Sequence, residues 1–498
     1  MKKIPTMSIP LKEARGPYVL GIDVGSTASR GGLYDASGRP VKGSKQRIAH
    51  EFRTDIDGTS VIDADQVVAE CREVVDGIVA FVREHKLRIS AVAMDSFASS
   101  LILVDAEGEA LTRCLTYADS RCAPYVAKLR QEFDEQDYHH RTGVRFHTSY
   151  HPARLWWLQE EHPELWAETD TVMTIGEYVY FRLAGIRGLA TATASWSGVL
   201  NLHTGEPDRE ILDAVGVDKH LFQPIFDPDE PAYPAETAWK KLREIPWFHA
   251  IPDGWPSNIG PGAVDPHTVA VAAATSGAMR VVLPVIPERV PVGLWCYRLS
   301  AQSCIVGGAL NDVGRAVSWL ERTLASVERE ELAEALLAEP DDDTPFVLPF
   351  FSGERATGWA ADARAAVTRV SDDTSVLDLW RGTVEGLALS YARIWEELAE
   401  VGVSASRVIA SGRVTNEHPD WLQVLSDSLQ VPVIPLAMKR ATLRGTALIA
   451  LDVVDPGGRR AVPPFGEPYA QVADRQEHYR EIRAEFDRLY EVLVTESR

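Results

Sequence analysis

Along this chain, apolar runs of strand length broken by small polar residues alternate with stretches of helical spacing. Between 18 and 35 the order YVLGIDVGSTASRGGLYD reads as strand, tight turn, strand, with Asp23 at the bend. Thr268 to Leu283, TVAVAAATSGAMRVVL, repeats that pattern around Thr275-Ser276-Gly277. Two such hairpins about 250 residues apart predict a duplicated domain, one turn facing the other across a cleft. In the first half, Asp63 to Glu84 carries apolar residues at helical spacing with Asp63 as N-cap, and Ile89 to Met94 reads as a buried strand. That strand runs into Asp95-Ser96-Phe97-Ala98-Ser99-Ser100, and strand ends are where ligands lie in open α/β sheets. The second half predicts helices over Ala309 to Leu320, over Leu377 to Val401 and around Trp421. Short strands are predicted at Val408 to Ala410 and Val431 to Val433, and a small-residue helix opens at Leu443.

The stretch from Phe222 to Gly262 is rich in proline and aspartate and reads as an interdomain connection, with the boundary near 249. The expected organisation is a loose extension over 1–17, a first domain over 18–249 and a second over 250–498. A chain of 498 residues, 45% hydrophobic, has core material for about two domains. No apolar run approaches the roughly 20 residues of a membrane span, and the first residues lack the features of a signal peptide. Five cysteines without a CxxC pair argue for reduced thiols and a cytoplasmic protein. The charge, 51 basic minus 72 acidic residues or −21, speaks against nucleic acid and anionic membranes as partners.

The turns suggest phosphate chemistry. Gly25 admits an anion close to the backbone, Ser26 and Thr27 offer donors, and Asp23 is placed to hold Mg2+ through water. An ordinary hairpin with a buried aspartate accounts for the first stretch equally well. Asp119 and Arg121 either orient a polyhydroxylated ligand or form a structural ion pair. His139, His140, His147 and His151 match no metal motif and read as packing or surface residues, and Trp156, Trp157 and Trp166 as core.

The ordered series GIDVGSTASR, AMDSFASSLILVDAEGEAL, LTYADSR, PDGWPSNIGPGAVDP, ATSGAMRVV, GLWCYRL, GGAL, LPFFSGER, ASGR and LRGTALIAL resembles the FGGY carbohydrate kinases, most closely their bacterial gluconokinase-like branch. The resemblance runs from Tyr18 to about Val454. It implies an α/β, two-domain actin-like (ribonuclease H-like) sugar kinase fold with a duplicated mixed-sheet core and an interdomain cleft. The first domain would bind the sugar and the second the nucleotide. It further implies ATP-dependent phosphorylation of a hydroxyl on a sugar, sugar acid or cyclitol, with ATP and Mg2+ as cofactors and a polyol or sugar as the partner molecule; a homodimer is compatible with it.

By the same resemblance Asp23 is the metal-side carboxylate and Asp253, in Pro252-Asp253-Gly254, the catalytic base, with Asp265 as second choice. The nucleotide falls to Gly25, Ser26, Thr27, Thr275, Ser276, Gly277, Gly314, Ser318, Gly412, Arg413 and Glu417. The acceptor falls to Phe97, Ala98, Ser99, Tyr117, Asp119, Asp253 and Trp255. The chain departs from the family at both ligand sites. Arg413 replaces the second glycine of a Gly-Gly turn, Arg440 an acidic residue, Ala274 a glycine, and Ala98-Ser99 an aromatic-histidine pair; Pro252 and Trp255-Pro256 differ around the base. Arg440 is expected to share Arg413's pocket, with Glu417 or Asp420 holding the cations. Two alternatives therefore stand beside the kinase: a catalytically impaired pseudokinase that binds sugar or a partner, and a transferase with a different phosphate donor or acceptor.

Overall fold

The first apolar run becomes strand β1 (Tyr18–Val24) and, after a turn at Gly25, β2 (Ala28–Tyr34) folds back against it in antiparallel register. A computed structural model describes residues 7–495 and shows these strands at the centre of a five-stranded sheet. Strand β3 (Gln46–Ala49) flanks β2, while β4 (Ile89–Ser96) and β5 (Trp247–Pro252) continue in parallel on the side of β1. The second half repeats the arrangement. Strands β6 (Thr268–Ala273) and β7 (Gly277–Leu283) form its hairpin, and β8 (Trp295–Arg298) and β9 (Cys304–Leu310) lie beyond β7. On the other side β10 (Arg407–Ser411) and β11 (Val433–Pro435) run parallel to β6. Hairpin at the centre, antiparallel partner on one side and two parallel strands on the other is thus the plan of both sheets, which establishes the duplication.

Helix α1 (Ala64–Glu84) starts as expected, the Asp63 carboxylate accepting the N–H groups of Asp65 and Gln66, and packs its apolar face on the first sheet. Helix α2 (Gly314–Thr323) follows β9, and the long α3 (Val376–Glu400) covers the second sheet. Helix α4 (Arg413–Glu417) begins where β10 ends. The small-residue helix α5 (Ala441–Val454) crosses back to the first half, burying Leu443, Ala447, Leu448 and Leu451 against Val19, Tyr34, Ala91 and Ala93. Its Gly445 permits this approach, because a Cβ there would overlap the Pro256 carbonyl.

Four expectations require correction. Residues 7–17 are not a loose extension: Ile9 is buried and exchanges backbone hydrogen bonds of 3.0 Å with Pro40 and Lys42; residues 1–6 of that stretch lie outside the described residues. The boundary near 249 falls inside β5, whose Pro252 is tolerated as the last residue of an edge strand. Residues 222–262 therefore complete the first sheet as well as connecting the halves. The helix expected from Ala309 begins only at Gly314, since Ala309 and Leu310 still pair with Ala278 and Gly277.

Candidate functional site

The register of the first sheet brings carboxylates together. Asp23 on β1 lies opposite Asp95 on β4, and Pro252 on β5 opposite Ser96, so Asp253 follows at the same edge, its N–H donating to the Ser96 carbonyl at 2.9 Å. Asp23 pairs with Arg30 at 3.1 Å; burial raises its carboxyl, and Arg30 and Arg440 oppose the rise. Asp95 is fully buried and accepts the Thr446 hydroxyl from α5. Burial, then the Asp23 charge, holds its carboxyl well above the usual range, and its Oδ1 has no hydrogen-bond donor among the described residues. Burial pushes Asp253 up to about 6, with the Asp23 charge adding to the rise. Arg280 on β7, whose Nη1 donates to Ser257 at 3.1 Å, opposes it, as do the N–H groups of Gly254 and Ala98 that the carboxylate accepts. A carboxyl group tuned toward neutrality and fixed by backbone donors is suited to accepting a proton. Asp265 instead accepts the His267 N–H in the turn preceding β6, at the end of that strand away from the Thr275 turn.

Around Asp253, Phe97 is buried edge-on against Phe52 at 5.1 Å, and Tyr117 meets the same ring at 6.3 Å. Burial raises the Tyr117 hydroxyl, with the Asp253 charge second and a hydrogen bond with Ser26 opposing; Tyr117 thus lies between the first turn and Asp253. Three expected acceptor contacts have other employment. The Asp119 carboxylate is buried and taken up by the Ser60 N–H at 2.9 Å and by Arg121 at 2.9 Å, so the structural ion pair is the reading that stands. Ser99, in a left-handed conformation at φ 55°, donates its hydroxyl to the Trp196 carbonyl at 2.9 Å. Trp255 is buried among the aromatic and aliphatic residues that join the halves.

Sequence reasoning placed Asp95 at a ligand-side strand end without giving it a role, and passed over Thr446, Arg280 and Arg154. Fully buried Arg154 donates to the carbonyls of Ser99, Thr116 and Thr148, tying together the loops that carry Ala98 and Tyr117. Another group behind the first turn was equally silent: His50 bonds the Gly25 carbonyl at 2.8 Å and Glu70 at 2.7 Å.

On the opposite side, Thr275 and Ser276 are exposed at the second turn, and a Cβ at Gly277 would overlap the Tyr391 hydroxyl. Gly314 donates its N–H to the Ala274 carbonyl at 2.8 Å, which brings the start of α2 against this turn. Gly412, at φ 114°, lies so close to the Ala273 carbonyl that a side chain is excluded. Arg413 crosses from α4 to α2: it pairs with Glu417 at 2.5 Å and donates to the Ser318 hydroxyl at 3.1 Å and the Gly314 carbonyl at 3.4 Å. Glu417 is thus the carboxylate that holds it, while Asp420 accepts the Tyr469 hydroxyl at 3.4 Å. Arg440 does not join this network. It lines a cavity beside Asp23 and Arg30. His139 and His151 are buried and bond the Leu294 and Ser100 carbonyls, and among the described residues no cluster of three His, Cys, Asp or Glu forms a metal cage.

A duplicated sheet pair with carboxylates at the strand ends, flanked by two Gly/Ser/Thr turns, defines a two-domain actin-like sugar kinase fold. The N-terminal domain of the FGGY family of carbohydrate kinases matches residues 18–239 and its C-terminal domain residues 284–451. The chain belongs to this family and is a phosphotransferase acting on a sugar hydroxyl. It is 24% identical to a gluconokinase of Bacillus subtilis over 454 residues, 87% of each chain, and 24% identical to glycerol kinase 1 of Pseudomonas aeruginosa over 447 residues, 87% of this chain and 89% of the relative. Its structure superposes with a TM-score of 0.87 on gluconate kinase from Lactobacillus acidophilus, at 22% identity and 96% and 98% coverage. The TM-score is 0.84 for Plasmodium falciparum glycerol kinase with ADP, at 17% identity and 98% of each chain. Among the described residues no helix is long and apolar enough to cross a membrane.

Proposed function

We propose that the protein transfers the terminal phosphoryl group of ATP to a hydroxyl of a sugar, sugar acid or cyclitol, with Asp253 as the general base. One observation carries the assignment: Asp253, half-buried and raised to about 6, stands at the shared edge of β1, β4 and β5, next to Asp23. The carboxylate accepts the acceptor's hydroxyl proton, and its bonds from Gly254 and Ala98 fix the oxygens so that no reorientation is needed. Arg280 opposes the rise that burial and the Asp23 charge impose on Asp253, and so favours its ionised form. The Gly25–Thr27 and Thr275–Gly277 turns present N–H and hydroxyl donors from the two halves, which suits the positioning and charge stabilisation that phosphoryl transfer requires.

The residues fit Mg2+. This ion keeps several waters and takes one or two carboxylates plus substrate phosphates, so it needs no protein cage. Asp23, backed by an Asp95 oxygen that lacks a donor, offers that kind of site. When bound, Mg2+ supplies charge neutralisation at the transferred group.

A second reading, a sugar-binding protein with impaired catalysis or a transferase with another donor, is favoured by Arg413, whose guanidinium bridges the two helices beside the donor turns. Release of ADP on adding each member of a polyol and sugar-acid panel decides between them, alongside calorimetry of ATP with and without Mg2+. Acceptor-dependent ADP release that disappears in Asp253→Asn supports the kinase. Sugar binding without ADP release from any acceptor supports the second reading.

A further inference from the structure

Beside the Asp23 hairpin lies a cavity of about 440 Å³ between β1–β2, the 40–45 loop and the start of α5. Its charge runs against that of the protein. Arg30, Lys42, Lys45, Lys439, Arg440 and Arg444 line it, and among the described residues the only acidic lining residue is Asp23, itself paired with Arg30. In a chain of net charge −21, such a concentration is a local feature and not the average of the surface. Lys42, Lys45, Lys439 and Arg440 are exposed, and their side chains make no hydrogen bond or ion pair among the described residues.

Two independent features point the same way. Arg444 is 2% exposed, and its Nε finds no hydrogen-bond partner although its other nitrogens donate to the Gly260 and Ala461 carbonyls. The 14-residue α5 also begins at this wall, with Arg440 in the left-handed region as N-cap and no side chain capping its first N–H groups. The positive end of a long helix and a buried guanidinium with a free donor both favour an anion. Cations on the 42–45 loop, on the approach to α5 and at its first turn surround the volume from separate elements, so one phosphate group reaches only some of them. The apolar walls of Tyr34, Val41 and Leu443 accommodate an organic body.

We propose that this cavity binds a multiply charged phosphate compound at a site separate from the donor turns. None of Gly25–Thr27, Thr275–Gly277, Gly412 or Arg413 lines it, although the lining Arg30 donates to the Thr27 hydroxyl at 3.2 Å and so adjoins the first turn. It nonetheless shares Asp23 and Arg30 with the catalytic edge, so an occupant competes with Asp23 for the Arg30 guanidinium and thereby regulates the metal-side carboxylate. The binding claim does not depend on the kinase reading.

Inorganic tripolyphosphate is the probe, titrated by calorimetry into the full-length protein and into Lys42→Ala/Lys45→Ala. Both lysines are exposed, and circular dichroism confirms that the variant is folded. Loss of two cations should weaken tripolyphosphate roughly tenfold or more while ATP affinity stays within twofold of wild type, and the difference should shrink at high salt. Three results overturn the proposal: tripolyphosphate fails to bind the wild type; it binds both proteins equally; or ATP affinity falls in parallel, which would make the cavity part of the donor site.

Discussion

Replacing Asp253 by Asn tests the proposed base through two readouts that move in opposite directions. In the folded protein the carboxyl titrates near 6, whereas an unperturbed aspartate titrates near 3.8, because burial and the Asp23 charge disfavour its ionised form. The sign follows directly. Between these values the folded state holds a proton that the unfolded chain has released, so stability falls as pH rises from about 4 to about 6 and stays reduced above. A shift of about two units amounts to at most roughly 3 kcal/mol, and the partial exposure of Asp253 trims this to about 1–3 kcal/mol. Asn keeps the shape, removes the charge and should stabilise the protein by about that amount at pH 7.5, with the gain vanishing as pH approaches 4. Turnover should fall by about 10²- to 10⁴-fold, and wild-type kcat/KM should rise with pH through an apparent pKa near 6. Thermal unfolding across pH 4–8, paired with an ADP-release assay, measures both. An Asn variant with normal turnover would discard the base. A variant that is less stable at pH 7.5 would show that the charge is held favourably and that the electrostatic reasoning is wrong.

Gly277→Ala should destabilise the second half by about 1–3 kcal/mol, because a Cβ would overlap the Tyr391 hydroxyl and lie 2.6 Å from Val313 Cγ2; urea unfolding reads this directly. Thr446→Val removes the hydroxyl that Asp95 accepts and should cost about 1–3 kcal/mol in the same measurement, while Thr446→Ser retains most of the stability. Gluconate should be a poor acceptor, since Ala98 supplies no polar group and Ser99 spends its hydroxyl on Trp196; a panel in which gluconate is clearly best refutes this. Arg413→Gly should tighten ATP binding by about 2- to 10-fold in calorimetry, whereas an unchanged or weakened affinity would make Arg413 a donor contact. The range is small because its ion pair with Glu417 is half-exposed, and such pairs contribute at most about 1 kcal/mol.

What the sequence made legible was local. The two hairpins show in it because turn residues and apolar runs lie side by side, and the Asp63 cap because its partners are two and three residues away. Asp95 ends an apolar run much as a surface aspartate would, and only the parallel register with β1 sets it against Asp23. Thr446, 351 positions away in the chain, and Arg280 reach the site through α5 and β7, so no local spacing announces them. Asp119 shows the opposite limit. Its pairing with Arg121 was readable, yet whether the pair serves ligand or loop depended on Ser60, whose N–H occupies the carboxylate. The misplaced boundary has a compositional cause: proline and aspartate on both sides of Trp247–Pro252 masked a strand that pairs on one edge only.

The energetics of the two altered sites differ, and that difference bears on which functional reading the molecule favours. Asp23, Asp95 and Asp253 converge on one strand edge, and burial raises the carboxyl of each. Such an arrangement opposes folding and resembles the strain that functional sites hold against the rest of the structure. Among the described residues Asp253 forms no ion pair, and its carboxylate is held by two backbone N–H groups that an Asn side-chain oxygen would accept equally well. Stability alone therefore gives no reason for a charge at this position, whereas proton transfer does. At the donor side the departure is cheap. Arg413 rests on an exposed i,i+4 pair and one good hydrogen bond to Ser318, contacts whose loss costs little, so the side chain can swing away from an incoming nucleotide. A carboxylate retained at a cost, beside a side chain displaced at little cost, is the combination expected of a working kinase with a modified donor pocket.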